Sequence, residues 1–141
     1  MDSKREILIH MLVRDDSDVA MARLRVRELA TARRMSEADA VSLMTAVSEL
    51  ARNIVVHAGN GEVLLGIVTD GERTGLLAIA QDDGPGVPNV GDAMRDGFST
   101  RGGLGLGLPS ARRLVDDFEI QSGAGRGTSV TLIKWVQRST S

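Results

Sequence analysis

Half of the glycines in this 141-residue chain, eight of 16, fall between positions 84 and 107. Glycine serves where the backbone must take φ > 0 or come close to a ligand, and each one costs conformational entropy on folding. A run this dense therefore constrains whatever is built around it. A flexible linker would be polar and serine-rich, but here Leu104, Leu106 and Leu108 alternate with Gly103, Gly105 and Gly107, and Pro109 follows where a helix can open. The pattern fits a loop whose backbone N–H groups face an anion and which runs into a helix N-terminus, where the dipole adds about half a positive charge. That describes a phosphate site.

Two common phosphate-binding loops do not fit. A P-loop needs a glycine followed by lysine to reach the terminal phosphates, and no glycine of this chain is followed by lysine. A dinucleotide fingerprint needs a third glycine and a strand directly upstream. Ser110 stands where that glycine would be, and Phe98, Ser99, Thr100 and Arg101 do not read as a buried strand.

The length suits one domain over residues 1–141, with a single core that needs no covalent staple. With no cysteine there is no disulfide, zinc thiolate or cysteine nucleophile, which agrees with a cytoplasmic setting. A net charge of −2 and 2% aromatic residues argue against a nucleic-acid partner. The apolar run at 7–13 is too short to span a membrane and reads as a strand. Arg23, Arg25, Arg27, Arg33 and Arg34 form a cluster, either a solvated helix face or a docking patch for an acidic partner.

Along the chain, the alternation over 7–13 predicts a first strand buried mostly on both faces. Val19, Ala22, Val26 and Leu29 recur at helical spacing and predict a helix over about 18–33. Ser36 and Asp39 resemble a capping box, and Val41, Met44, Val47, Leu50, Ala51, Ile54 and Val55 carry a second helix to about His57. Glu49, Asn53 and His57 fall on one stripe of that helix, with neighbours about 5–6 Å apart at Cβ, so that a carboxylate and an amide can share one ligand. His57 either satisfies a carbonyl at the helix end or belongs to the site. Strands are expected over 62–69 and 76–82 with a turn-rich connection over 70–75, and the second ends at Asp82, just before Gly84 and Gly86. A short helix over 90–94, a further helix from Pro109 to about Asp117, and a hairpin of 119–122 with 129–136 complete the chain. These elements predict an α+β two-layer sandwich, with a mixed, mostly antiparallel sheet of about five strands and helices on one face.

Four motifs now stand in order: Glu49-x-x-x-Asn53, Asp82-x-Gly84-x-Gly86, Gly103-x-Gly105-x-Gly107 and Gly125-x-Gly127-Thr128. Together they resemble the GHKL, or Bergerat-fold, ATPases of gyrase, histidine kinases and MutL. The runs Ser48-Glu49-Leu50-Ala51-Arg52-Asn53, Asp96-Gly97-Phe98-Ser99-Thr100 and 102–109 are similar to those of anti-sigma-factor serine/threonine kinases, and within these to the switch kinases of the bacterial stressosome. The resemblance spans about residues 7–135.

It implies ATP and Mg2+ as cofactors. Asn53 would hold the Mg2+, which keeps most of its waters, and Glu49 would be the general base. Asp82 would accept a hydrogen bond from the adenine amino group, with Gly84 in the same nucleotide-binding motif, Gly86 letting the backbone pass close to the base and Thr128 helping to hold the adenine pocket. Gly103, Gly105 and Gly107, with Leu108 after them, would form a lid over the phosphates. Ser99 and Thr100 either bond phosphate or cap that lid. A STAS-domain antagonist would be the protein substrate and a PP2C-type phosphatase a second partner, with a sigma factor a further one. Sigma-binding members usually carry alanine after the helix asparagine, whereas Ile54 follows Asn53 here, which points to the switch kinases. The alternative is an anti-sigma factor or ATP-dependent binding module without essential kinase chemistry.

Overall fold

The computed structural model describes residues 3–85, 107–123 and 125–137. The expected helix over 90–94 lies outside these residues, as do Gly86, Ser99, Thr100, Gly103 and Gly105. The elements run β1 (Lys4–Val13), α1 (Asp16–Ala32), α2 (Glu37–Asn53), a π-helical turn (Ile54–Ala58), β2 (Gly61–Asp70), β3 (Arg73–Asp82), α3 (Leu108–Arg113), β4 (Asp117–Ser122) and β5 (Thr128–Trp135). The strands form one sheet in the order β1-β2-β3-β5-β4, antiparallel at every described pairing. The expected α+β sandwich is therefore present.

Both long helices begin at side-chain caps. The Asp15 carboxylate accepts from the Asp18 backbone N–H at 3.0 Å, and the Ser36 hydroxyl accepts from that of Asp39 at 3.1 Å. Each cap satisfies a donor that the first helical turn leaves open, worth about 1 kcal/mol. Val19, Ala22, Val26 and Ala30 of α1 and Leu43, Val47, Leu50 and Ala51 of α2 are buried. They meet Val63, Leu65 and Ile67 of β2, Leu76, Ala78 and Ala80 of β3, and Val130 and Leu132 of β5 in one core. Successive strand residues point to opposite faces, so the alternate positions Val68, Leu77, Ile79, Ile133 and Trp135 gather in a second, smaller apolar cluster on the face that none of the described helices covers. At one end of it Arg73 lies over the Trp135 ring at 3.8 Å, and the indole N–H donates to Asp117 at 3.0 Å. Outside the core, Arg27 binds Glu37 through two hydrogen bonds of 2.6 and 3.0 Å, clipping α1 to α2.

The first strand departs from expectation. Only Val13 of β1 is buried, and Leu12 is 56% exposed. The cause is its place at the sheet edge, where one face meets the helices and the other meets none of the described ones. A register shift between Ile7 and Ile9 marks a bulge at Leu8. Bulges sharpen strand twist, and the sheet coils enough for Arg5 of β1 to line one cleft with Phe118 and Glu119 of β4, the opposite edge strand. The first hairpin is also tighter than expected: Asp70 pairs with Arg73, leaving a two-residue turn. Finally, α3 stops at Arg113 rather than near Asp117, because Asp117 is already the first residue of β4.

Candidate functional site

Helix α2 places Glu49 and Asn53 one turn apart, both half-buried, beside the fully packed positions Leu50 and Ala51. Just before Glu49 sits the buried Ser48, whose hydroxyl donates to the Met44 carbonyl at 2.8 Å and accepts from Arg23 of α1 at 3.4 Å. Directly after Asn53 the helix widens. The Gly59 N–H donates to the Ile54 carbonyl at 2.9 Å, closing an i to i+5 turn of the kind often found at functional positions. Ile54 stays in the core at 2% exposure, and Ala58 at the end of this turn lies against Gly84, just beyond β3. The end of the helix and the end of the strand are thus in contact.

Asp82 sits at that strand end. Its register partner in β5 is Thr128, and the register partner of Thr128 in β4 is Ser122. Asp82, Thr128 and Ser122 lie two residues from Ala80, Val130 and Ile120, which belong to or pack on the main core, so all three side chains take the helix-covered face. The Asp82 carboxylate accepts the Gly84 N–H at 2.9 Å. Its pKa is raised from the ordinary carboxylate value, chiefly by burial. The backbone amides of Gly84 and Thr128 and the nearby His57 pull it down, and the charge of Asp83 pushes it up. The β4–β5 connection is fitted to this strand end: the Gly125 N–H donates to the Pro85 carbonyl at 2.7 Å, and the α-carbon of Gly127 lies so close to the Asp82 carbonyl that a methyl group there would overlap it.

Gly107 closes the arrangement from the other side. It holds φ +79° just before α3, and a side chain on it would fall on the Glu49 carboxylate. Leu108 is buried next to it. Of the residues singled out from the sequence, the structure brings Glu49 to Gly107 and Asp82 to Gly84 and Thr128, with Asn53 at the head of the turn that touches Gly84. Gly86, Gly103 and Gly105 fall outside the described residues. The sequence reading missed the π-turn, which leaves no periodic signature over five residues, and Ser122, whose signal was its cross-strand pairing with Thr128.

An acid and an amide on one helix, which leads through the π-turn to a half-buried carboxylate at a strand end, are groups that a nucleotide-binding domain can use. The histidine kinase-like ATPase domain family matches residues 12–134, and the chain belongs to that family. Among individual proteins it is 45% identical over 120 residues to the serine/threonine-protein kinase RsbT of Bacillus subtilis, covering 85% of this chain and 90% of that one. It is 31% identical over 110 residues to the anti-sigma F factor of Caldanaerobacter subterraneus, covering 72% and 73%. The fold matches the crystal structure of the RsbU and RsbW domains of a Mycobacterium tuberculosis protein with a TM-score of 0.65 at 22% identity, over 93% of this chain. This chain spans about a third of that solved chain.

Proposed function

We propose that this protein is a serine/threonine protein kinase of a bacterial partner-switching pathway, which uses Mg·ATP to phosphorylate a STAS-domain antagonist and, once released, activates a PP2C-type phosphatase. The observation that carries the reading is the linkage of three parts: Glu49 against Gly107, Asn53 one turn later at the head of the π-turn, and the end of that turn against Gly84 beside Asp82. Asp82 accepts a hydrogen bond from the adenine amine, and a 6-oxo base leaves that carboxylate facing another acceptor. Among the described residues no group of three or more His, Asp or Glu side chains converges as a metal cage. A magnesium ion at this site fits the residues as one bound mainly by phosphates and water, with Asn53 giving a single oxygen, and it would neutralise phosphate charge during transfer.

Glu49 takes the proton of the attacking serine or threonine hydroxyl. The hydroxyl oxygen bonds to the γ-phosphorus as the bond from that phosphorus to the bridging oxygen breaks, leaving ADP. The second reading, an anti-sigma factor that uses ATP to set its shape, draws on the likeness to the anti-sigma F factors. Single-turnover transfer of labelled γ-phosphate to a STAS-domain protein separates the two. Transfer supports the kinase, and nucleotide binding without transfer supports the binding module.

A further inference from the structure

Ser122 has no part in the mechanism above, yet it completes the row that runs from Asp82 through Thr128 across three strands. Its hydroxyl lies 2.9 Å from the Gly127 carbonyl and 2.9 Å from the Thr128 hydroxyl. A carbonyl oxygen only accepts, and a serine hydroxyl has one proton to give. That proton goes to Gly127. The bond between the two hydroxyls must then use the proton of Thr128, which leaves Thr128 Oγ1 with lone pairs alone to offer any other group. Across the row the Asp82 carboxylate is also an acceptor, held in place by the Gly84 N–H.

We propose that Ser122 is a positioning residue that sets base specificity: by taking the Thr128 proton it makes Thr128 an obligate acceptor, so that Thr128 and Asp82 together favour a purine with an amine at position 6 over one with a carbonyl. The inference rests on the reading of this site as an ATP site. It extends that reading from Asp82 to a residue that never touches the base. Without Ser122 the Thr128 hydroxyl is free to rotate, and it can donate to a 6-oxo group.

The test is calorimetric binding of ATP and of inosine triphosphate, which carries the 6-oxo group, to the parent and to Ser122→Ala, Ser122→Thr and Ser122→Ala/Thr128→Val. The parent prefers ATP. Ser122→Ala should narrow that preference about five- to tenfold, the worth of one neutral hydrogen bond. Ser122→Thr, which keeps the hydroxyl, should retain the parental preference, and the double variant should lose the inosine gain because no hydroxyl remains to turn. If Ser122→Ala does not fold, Ser122→Cys keeps the volume, weakens the donor and carries the same expectation. A preference unchanged in these variants, even with both affinities lowered together, makes Ser122 a merely structural residue and overturns the inference while leaving the ATP reading standing. A parent that binds both nucleotides equally overturns the adenine reading, and this inference with it.

Discussion

The Glu49 carboxylate rests against the α-carbon of Gly107, a residue held at φ +79° where any side chain would overlap Glu49 Oε2. Helix α2 and the end of the glycine-rich segment are therefore fitted to each other at the acid proposed to remove the proton.

Gly107→Ala should carry two costs. One is the left-handed backbone, about 1–2 kcal/mol for a residue with a Cβ. The other is displacement of the Glu49 side chain, and in a Glu49→Ala background only the first remains. Urea unfolding of the two single variants and the double variant should give a coupling of about 0.5–3 kcal/mol, in the range for residues in contact. Strict additivity would show that the contact carries no energy.

Glu49 and Asn53 share a helix face but should fail differently. Glu49→Gln keeps size and helix propensity while removing the proposed base, so ATP affinity should hold while single-turnover phosphoryl transfer falls on the order of 10²–10⁴-fold. Asn53→Ala removes the proposed metal ligand, so binding and transfer should fall together. Transfer by Glu49→Gln at the parental rate would remove Glu49 from the chemistry.

Asp82 sets function against stability. Burial, its main influence, raises its pKa above the usual carboxylate value. A carboxyl raised in this way binds its proton more tightly in the folded than in the unfolded state. Its favourable contribution is full below the unfolded value and is lost as pH rises through the folded value, so at neutral pH the ionised group weighs against folding. Asp82→Asn should accordingly unfold at the same or a higher temperature than the parent at neutral pH, with the difference shrinking toward about pH 4, while binding ATP less well. Thermal melts across that range, beside nucleotide titrations, check both halves. A clearly lower melting temperature at neutral pH would contradict the assignment.

Gly125 and Gly127 share φ +74°, but none of the described residues lies within 4 Å of where a Cβ on Gly125 would stand, whereas one on Gly127 meets the Asp82 carbonyl. Alanine at 125 should cost about 1–2 kcal/mol for backbone conformation alone. Alanine at 127 should cost more, since a sheet backbone has to move, and should also lower ATP affinity. Equal urea midpoints for the two variants would show that the close approach is not tight.

Much of this was readable from residues. Helix α2 announced itself through its apolar period and the Ser36 cap, and the Asp82 strand end through the glycines behind it. The burial of β1 was not readable, because a run of alternating apolar residues looks the same at a sheet edge as at its centre. Only the strand order shows that Leu8 and Leu12 face none of the described helices. The π-turn after Asn53 was hidden for a related reason: one widened turn barely disturbs a 3.6-residue rhythm, and Ile54 still reaches the core. Ser122 became visible only with the β4–β5 register, since its importance lies in a partner six residues away across a hairpin. The change from a six-residue connection to the two-residue turn after Asp70 reflects pairing that continues through polar residues, which hydrophobic patterning does not register.

The single tryptophan gives the protein a spectroscopic consequence of its architecture. Trp135 stands opposite Gly75, covered by Arg73 and bonded to Asp117, and lies seven positions along β5 from Thr128, about 23 Å at ordinary strand rise. Its fluorescence should therefore track melting of the sheet and stay indifferent to an occupied nucleotide site. A change in emission on adding ATP would mean that occupancy is felt along the whole length of a strand.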